Sequence, residues 1–247
     1  MNAKFKTLFF SRSVYYALRA VLLTGSRFEC PLCGGRFKRF LSAGIVKRNN
    51  AGCPRCSSLE RHRLLWLYLQ RETNFGVGPR RFLHIAPEFC FLRVLKKMPR
   101  LEYVSVDKNN ALADYRMDIT DLRIESESFD CLLCVHVLEH VSDDLQALRE
   151  MRRILKPGAW AIIGVPIDHT RETTFEDPLA TSGKDRLKLF GQPDHVRVYG
   201  NDAARRFERA GFEVTGVDYF ERLSPLEREK YGVIGGEEIF HCTRVPF

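Results

Sequence analysis

Apolar runs alternate with helical patterns along most of the chain after residue 58. The strand-like runs are RFLHIA at 81–86, EYVSVD at 102–107, FDCLLCVHVL at 129–138 and AWAIIGVPI at 159–167. The helical patterns between them are FLRVLKKM at 91–98 and SDDLQALREMRRIL at 142–155. Strands that alternate with helices predict a parallel sheet covered on both faces, which is a doubly wound α/β fold.

Further elements flank these runs. The stretch at 57–72 predicts a helix whose first turn has a capping box formed by Ser57 and Glu60. A helix at 201–210 is closed by Gly211, and the apolar runs at 212–220 and 238–245 follow it. We interpret these two runs as an antiparallel strand pair at the edge of the sheet.

The first 29 residues are a basic leader with helical periodicity. Val14, Leu18, Val21 and Leu22 share one helical face. The apolar run is too short to cross a bilayer, and no small-residue cleavage site follows it, which argues against a spanning segment and a signal peptide. We interpret the leader as a helix packed on its own domain or on a partner, with peripheral membrane contact as the alternative.

Charge is distributed unevenly along the chain. The formal net charge is +8, but residues 1–80 carry about +12 and residues 81–247 about −4. An RNA or an anionic membrane surface would therefore meet the N-terminal part.

Two C-x2-C pairs lie in this basic part. Cys30 and Cys33 are followed, after nineteen residues, by Cys53 and Cys56. Four thiolates with this spacing are typical of a closed structural zinc site, and they indicate a reducing, cytoplasmic setting. A third pair, Cys131 and Cys134, lies within an apolar strand, where positions i and i+3 face opposite sides of the sheet, so we interpret it as core.

The module at 30–58 also interleaves basic residues with two phenylalanines, Phe37 and Phe40. Basic and aromatic side chains together can follow a nucleic-acid backbone and stack on its bases. The alternative is a solvated basic surface whose phenylalanines form the small core of the module. The sequence leaves both interpretations open.

Asp107 ends the second strand-like run, twenty-one residues after Ala86. In open parallel sheets a carboxylate at about this distance from the first loop binds ribose hydroxyls. An aspartate that begins a surface turn with Asn109 and Asn110 is the alternative.

The stretch MDITDLRIESESFDCLLCVHVLEHVSDDLQALREMRRILKPGAWAIIGVP at 117–166, followed by HVRVYGNDAARRFERAGFEV at 195–214, carries a family resemblance. On these motifs, residues 81–219 resemble the class I S-adenosylmethionine-dependent methyltransferases. The resemblance implies a mostly parallel, Rossmann-like sheet of seven strands, the last one antiparallel, with the cofactor across the carboxyl ends of the first four strands. The patterns along the chain divide it into three regions, a leader at 1–29, a zinc-ribbon-like module at 30–58 and a longer region at 59–247, which the resemblance identifies as a methyltransferase domain.

The resemblance also implies cofactor contacts. Asp107, with Lys108 beside it, would bind the ribose hydroxyls. Asp118 would accept from the adenine amino group, with Ile119 against the adenine face. Two residues at the end of the fourth strand, Val135 and His136, would border the methyl donor.

The first loop departs from the acidic and glycine residues, D-x-G-x-G, that relatives commonly show there. His84 stands at the acidic position, and Ala86, Glu88 and Cys90 stand at the glycine positions. Glu88 can meet the ammonium of the cofactor's methionine end, and the amide hydrogens that follow it can meet the carboxylate. Pro87 suits the first turn of a helix because no needed donor is lost there.

Transfer of a methyl group to oxygen or nitrogen often needs a base, and histidine fits that role at neutral pH. His195 is our first candidate, with Tyr199 nearby, and His136 and His140 are the others. The long polar segment at about 167–200 exceeds an ordinary connection and predicts an acceptor lid.

These observations predict an enzyme that transfers a methyl group from S-adenosylmethionine to a small-molecule, glycan or lipid-linked acceptor. An RNA methyltransferase that binds through the basic module is the main alternative. A third hypothesis is a catalytically inactive zinc-ribbon adaptor, because the first loop lacks glycines.

Overall fold

The computed structural model of the protein describes residues 15–44, 46–78 and 80–245. Helix α1 covers residues 15–22, and the other helices are α2 Glu60–Glu72, α3 Phe89–Leu95, α4 Asp144–Ile154, α5 Gly183–Phe190, α6 Ala203–Glu208, α7 Tyr219–Arg222 and α8 Pro225–Tyr231, with a 3₁₀ helix at Leu138–His140. The strands are β1 Thr24–Cys30, β2 Gly35–Phe37, β3 Leu41–Ala43, β4 Arg48–Gly52, β5 Arg80–Ile85, β6 Leu101–Asp107, β7 Tyr115–Arg116, β8 Phe129–Val135, β9 Leu155–Gly164, β10 Phe175–Glu176, β11 Arg197–Val198, β12 Glu213–Val217 and β13 Ile239–Thr243.

The described chain forms two compact units. The first unit comprises the residues up to Gly76 together with Glu88–Lys97 and Tyr219–Gly235, and the second comprises Val77–Pro87, Met98–Asp218 and Gly236 onward. This division differs from the boundary expected at residue 59, because α2 belongs to the first unit. Arg63 of α2 donates to the carbonyl oxygens of Ala51 and Ser58, 2.9 and 2.7 Å away, and so ties the helix to the cysteine module.

Two short hairpins build the cysteine module of the first unit. Strand β1 pairs with β2, and β3 pairs with β4, both antiparallel. Cys30 ends β1, and Cys53 follows β4. The hairpins thus carry the two cysteine pairs in turns, where the backbone can curve around an ion.

The predicted capping box at the start of α2 is wrong. Ser57 has φ +61°, outside the helix, and Leu59 is the residue that precedes its first turn. The amide of Leu59 donates to Nδ1 of His62 at 3.0 Å, while the Glu60 carboxylate pairs with Arg48 at 2.9 Å. The pairing with Arg48 explains why Glu60 does not serve as a cap.

The leader helix α1 presents an exposed apolar face. Leu18, Val21 and Leu22 are 61%, 72% and 75% exposed, and Val14 lies outside the described residues. None of the described helices has the length and apolar character needed to cross a bilayer.

The second unit contains the predicted seven-stranded sheet. Its strand order is β12-β13-β9-β8-β5-β6-β7. Strands β5 to β9 are parallel to one another, whereas β13 runs antiparallel to both β9 and β12. The fold class is therefore confirmed, a mostly parallel Rossmann-like sheet of the methyltransferase type. The predicted antiparallel pair is also confirmed, although only β12 lies at the edge.

Buried apolar side chains from α4 and α6 pack against one face of this sheet. Leu148 and Met151 of α4 and Phe207 of α6 join Leu132 of β8 in one core cluster, and all four are 0% exposed. Cys131 and Cys134 are 0% exposed within β8, so their interpretation as core residues is confirmed. Burial raises the pKa of the Cys131 thiol to about 12.

The order of the strands creates a topological switch. From β5 the chain proceeds to β6 and β7 on one side and then returns to β8 on the other side of β5. The loops after β5 and β8 therefore diverge and leave a crevice at the carboxyl ends of the strands, which is where open α/β sheets bind ligands.

Candidate functional sites

The four predicted metal ligands converge in the first unit. Sγ of Cys30 lies 3.6 Å from Sγ of Cys56, and Sγ of Cys33 lies 3.7 Å from Sγ of Cys53. All four sulfur atoms lie within 4.8 Å of one another. Four sulfurs at about 2.3 Å from a zinc ion stand about 3.8 Å apart in a regular tetrahedron. The donor set and its spacing therefore fit a closed zinc site.

Polar groups surround the sulfur atoms. The Ser58 hydroxyl lies 3.2 Å from Sγ of both Cys30 and Cys56. The guanidinium of Arg63, 0% exposed, places a cation next to the knuckle that carries Cys53 and Cys56.

The two phenylalanines of the module lie in its core. Phe37 and Phe40 are 1% and 2% exposed, and their ring centroids are 6.0 Å apart. They are therefore not available to stack on nucleic-acid bases, and the core interpretation fits them better. The exposed basic residues of the module are Arg36, Lys38, Arg39, Lys47, Arg48 and Arg55.

The second unit has a cavity of about 580 Å³ at the carboxyl ends of β5, β6 and β8, within the range of roughly 300–1,000 Å³ typical of small-molecule sites. Six of the ten predicted cofactor residues line it: Ala86, Asp107, Lys108, Asp118, Ile119 and His136. It lies at the topological switch of the sheet, and the other lining residues include Met117, Thr120, His140, Asp143 and Gln146.

Asp107 is held by the turn that follows β6. Its Oδ1 accepts from the amides of Asn109 and Asn110 at 2.6 and 2.7 Å. Asp107 thus begins a surface turn, as the alternative interpretation proposed. It also lines the cavity, as expected of a residue that binds ribose. These bonds leave Oδ2 as the oxygen available to a ribose hydroxyl.

Asp118 is fixed on the opposite side of the same region. Its Oδ2 lies 2.8 Å from Nζ of Lys108, and its Oδ1 accepts from the amide and hydroxyl of Thr120. The bond from Lys108, followed by those from Thr120, lowers the pKa of Asp118 to about 2. The carboxylate is therefore ionised across the physiological range and can accept from an amino group.

Two residues at the strand ends have left-handed backbone without being glycine. Ala86 follows β5 with φ +49°, and His136 follows β8 with φ +53°. The first loop thus adopts at Ala86 the positive φ that glycine adopts readily. Backbone of this kind costs on the order of 1–3 kcal/mol per residue and is typical of functional sites.

The other first-loop residues lie outside the cavity lining. His84 is 0% exposed within β5, and its Nδ1 lies 2.9 Å from the Tyr103 hydroxyl. Pro87 and Val135 are also absent from the lining. Glu88 belongs to the first unit, where its Oε1 lies 3.5 Å from Nε2 of His62.

His136 is surrounded by carboxylates. Its Nδ1 lies 3.3 Å from Oε1 of Glu139, and its Nε2 lies 3.4 Å from Oε2 of Glu237. Burial alone would lower the pKa of His136, but the bonds to the two glutamates outweigh burial and raise it to about 9. At neutral pH His136 is therefore a cation, which suits a charge partner rather than a proton acceptor.

His140 and His195 meet at the rim of the cavity. Their rings pack edge to face with centroids 4.7 Å apart. His140 lines the cavity, whereas His195 is 7% exposed and lies outside the lining. Burial lowers the pKa of His195, so its imidazole is neutral at pH 7 and can accept a proton.

Tyr199 lies in the core. It is 0% exposed, and its hydroxyl donates to Oδ2 of Asp144 at 2.7 Å. Burial raises the pKa of Tyr199 well above its ordinary value. These features fit a structural role, because Asp144 also pairs with Arg206 at 2.6 Å and lies 3.7 Å from Arg197.

The predicted lid segment is folded and anchored. It contains α5, and its strands β10 and β11 pair antiparallel. Arg197 of β11 donates to the carbonyl oxygens of Leu138 and Ser142, and it pairs with Glu176 of β10 at 2.6 Å. The segment therefore holds the loop that carries His140 in place.

Sequence reasoning missed Glu139. This residue is 2% exposed and lies between His136 and the His140–His195 pair. The spacing of His136, Glu139 and His140 was visible in the sequence, but the approach of His195 was not.

Comparisons with known proteins agree with this architecture. Residues 74–163, somewhat more than a third of the chain, match the family model described as methyltransferase domain. A stretch of 100 residues, 40% of the chain, is 47% identical to an uncharacterized 37.1 kDa protein of a Streptomyces fradiae transposon. That match spans 29% of the relative's length.

Solved structures share the fold at low identity. A Mesorhizobium loti S-adenosylmethionine-dependent methyltransferase (TM-score 0.50, 16% identity) covers 73% of this chain and 98% of its own. The match to the YcgJ protein from Bacillus subtilis (TM-score 0.50, 16% identity) covers 75% of this chain and 100% of the YcgJ chain. The match to the [4+2]-cyclase SpnF (TM-score 0.54, 15% identity) covers 77% of this chain and 85% of SpnF.

Residues 74–163 are thus similar to a methyltransferase domain, and the solved structures share the fold of the second unit. One of these structures is a [4+2]-cyclase, so the fold does not by itself determine the reaction. The reaction must be argued from the residues of the cavity.

Proposed function

We propose that the second unit binds S-adenosylmethionine in its cavity and transfers the methyl group to an oxygen or nitrogen atom of an acceptor. The position of Asp107 carries this proposal. It ends β6 at the switch of the sheet, lines the cavity and keeps one carboxylate oxygen free of its own turn. A carboxylate so placed can accept from the ribose hydroxyls of the cofactor.

The remaining cofactor contacts follow from the lining. Ionised Asp118 can accept from the adenine amino group, and Ile119, 6% exposed, offers an apolar surface to the ring. Ala86 brings the backbone of the first loop to the wall of the cavity.

The histidines at the rim suit the acceptor. The bound cofactor supplies a methyl group on a positively charged sulfur. His140 faces the cavity and His195 lies behind it in its neutral form, so a proton leaving the acceptor can pass to this pair. His136 contributes positive charge beside them.

The acceptor is proposed to be a small molecule, a glycan or a lipid-linked intermediate. The lid segment supports this choice because it carries the acidic residues Glu172, Glu176, Asp177, Asp185 and Asp194. Five basic residues accompany the six acidic residues of 167–200, so the segment has a net charge of about −1 and lacks the excess of basic residues that binds a phosphate backbone. The zinc site is closed and is proposed to stabilise the module without taking part in the reaction.

RNA is the second candidate acceptor, and the exposed basic residues of the module favour it. The module offers Arg36, Lys38, Arg39 and Lys47 to solvent, but its phenylalanines are buried. Such a surface would contact phosphates without stacking on bases.

The test is methyl transfer from labelled S-adenosylmethionine into fractionated cell extract. We expect label in the small-molecule, glycan or lipid fraction. Label in RNA would establish the second candidate. Calorimetry with the cofactor comes first, because no detectable binding at millimolar S-adenosylmethionine would leave the inactive adaptor as the better description.

A further inference from the structure

Glu139, His140 and His195 form a cluster of potential metal ligands at the rim of the cavity. One ligand atom from each lies within 4.8 Å of the other two. Glu139 and His140 are adjacent in the 3₁₀ helix, and His195 comes from the lid segment. The amide of Val196 donates to the carbonyl oxygen of Glu139 at 2.9 Å, which fixes the two segments to each other.

The Glu139 carboxylate has one oxygen in need of a partner. The residue is 98% buried, and its Oε1 lies 3.3 Å from Nδ1 of His136. Among the described residues, its Oε2 has no hydrogen-bond partner. A buried carboxylate oxygen without a donor is costly, and a cation would remove that cost.

The surroundings of His140 and His195 fit the binding of a metal ion. Nδ1 of His140 lies 3.3 Å from both the carboxylate and the carbonyl oxygen of Asp194, which orients the ring and leaves Nε2 available. A carboxylate behind a ligating histidine is the usual outer-shell arrangement in metal sites. His195 is 7% exposed, and its ring packs edge to face on that of His140 with centroids 4.7 Å apart, which holds the two imidazoles next to each other.

We propose that Glu139, His140 and His195 bind one divalent transition-metal ion, separate from the zinc of the four cysteines. Two imidazoles and one carboxylate suit ions such as Fe²⁺, Co²⁺, Mn²⁺ and Zn²⁺ and leave coordination positions open. Because His140 lines the cavity, the open positions face the place where the acceptor must approach.

This inference deepens the proposed function, on which it rests for the identity of the acceptor. With the ion bound, His140 and His195 would be its ligands and would not accept the proton. The ion would bind a hydroxyl oxygen of the acceptor and lower its pKa, so that the proton leaves to solvent instead. That oxygen then bonds to the methyl carbon, and the broken carbon–sulfur bond leaves its electron pair on sulfur. The acceptor class is accordingly an oxygen nucleophile that can ligate a metal, such as a phenol or a vicinal diol.

Cobalt uptake by the full-length, zinc-loaded protein tests the site without any methyl transfer. Equilibrium dialysis with Co²⁺ and metal analysis should give about one cobalt per chain beyond zinc. The absorption spectrum of the bound cobalt should lack thiolate-to-cobalt charge-transfer bands. No uptake, or a spectrum dominated by thiolate bands, would overturn the proposal.

Substitutions of the ligands sharpen the test. Glu139→Gln and His140→Gln should each weaken cobalt binding by more than roughly tenfold, the loss that even outer-shell changes cause. His140 is partly exposed, so its variant should fold even where a change at Glu139 disturbs the core. Glu208→Gln and His169→Gln, both at exposed positions outside the cluster, are the matched controls and should keep the affinity. Equal binding by the wild type and the His140 variant would refute the assignment.

Catechol, a bidentate oxygen ligand, tests the open positions. It should shift the absorption of the bound cobalt, and an unchanged spectrum would overturn the acceptor part of the proposal. Cobalt binding requires no S-adenosylmethionine, so failure of cofactor binding would refute the proposed function and leave the metal result intact.

Discussion

Ala86 and His136 show how single residues shape the cavity. Each follows a parallel strand, each has positive φ, and each lines the cavity. The loop after β5 therefore has the backbone that glycine would adopt most easily, although its sequence has alanine. The absence of glycine in this loop does not prevent it from forming the cavity wall.

Replacing Ala86 by glycine should relieve backbone strain. We expect Ala86→Gly to raise the free energy of unfolding by about 1 kcal/mol in urea, because the left-handed conformation costs alanine about that much. The matched change Ala204→Gly, in helix α6, should lower it by a similar amount, about 1 kcal/mol. A loss of stability in both variants would contradict the positive φ of Ala86.

Asp107 should be essential for cofactor affinity. Asp107→Asn keeps an oxygen for the turn amides but removes the charge, and we expect S-adenosylmethionine binding to weaken by more than roughly tenfold. Calorimetry measures the change. Asp121→Asn, an exposed aspartate outside the cavity lining, serves as the control. Unchanged affinity in the Asp107 variant would refute the ribose assignment.

The cationic state of His136 should appear in the pH dependence of stability. Its pKa is raised from 6.5 to about 9 in the folded protein, so its contribution is fully present below pH 6.5 and is lost as the pH rises through about 9. We expect the free energy of unfolding to fall over this interval in the wild type and to fall less in His136→Gln. Parallel pH profiles of the two proteins would count against the raised pKa.

At the scale of elements, short segments position the chemistry. Hairpins β1–β2 and β3–β4 present the four cysteines, and the anchored lid strands β10 and β11 hold the loop that carries His140. These strands are two to seven residues long, too short to be stable without cross-links or packing. Arg197 supplies such links to the lid strands, and the proposed zinc ion would supply them to the hairpins.

Zinc should be required for the first unit to fold. We expect about one zinc per chain in the wild type and none in Cys33→Ser, with loss of the module's cooperative melting transition. Cys131→Ser is the matched control because its cysteine belongs to the third C-x2-C pair and is buried in β8. Zinc retained by the Cys33 variant, or lost from the Cys131 variant, would argue against the four-cysteine site.

At the scale of the whole molecule, charge and chemistry fall in different units. The basic residues concentrate in the N-terminal part, whereas the cavity and the lid segment belong to the second unit. If the acceptor is not a nucleic acid, methyl transfer in the cavity should not depend on the basic residues of the module. If the acceptor is RNA, those basic residues should contribute to acceptor binding.

Charge reversal in the module should therefore leave methyl transfer intact. We expect Arg36→Glu, Lys38→Glu and Arg39→Glu together to change neither cofactor affinity nor the labelled fraction of the extract. All three side chains are exposed, so the triple variant should fold. Salt-sensitive labelling of RNA that the triple variant loses would favour the RNA acceptor instead.

Local patterns in the sequence predicted the strands, the cysteine site and Asp107. Apolar alternation and C-x2-C spacing act over a few residues, and Asp107 lies at a fixed distance from Ala86 along one strand–helix–strand unit. The capping box failed because the pairing of Glu60 with Arg48 cannot be read from the spacing of Ser57 and Glu60.

The sequence by itself determined the alternation of strands and helices, and with it a mostly parallel sheet, because hydrophobic periodicity acts on consecutive elements. The order of the strands in that sheet came from the tertiary structure. Only the tertiary structure brought His195 to Glu139 and His140, across more than fifty residues, and placed Tyr199 in the core against Asp144. These contacts depend on how the lid segment packs on the loop after β8, and patterns of neighbouring residues in the sequence do not predict that packing.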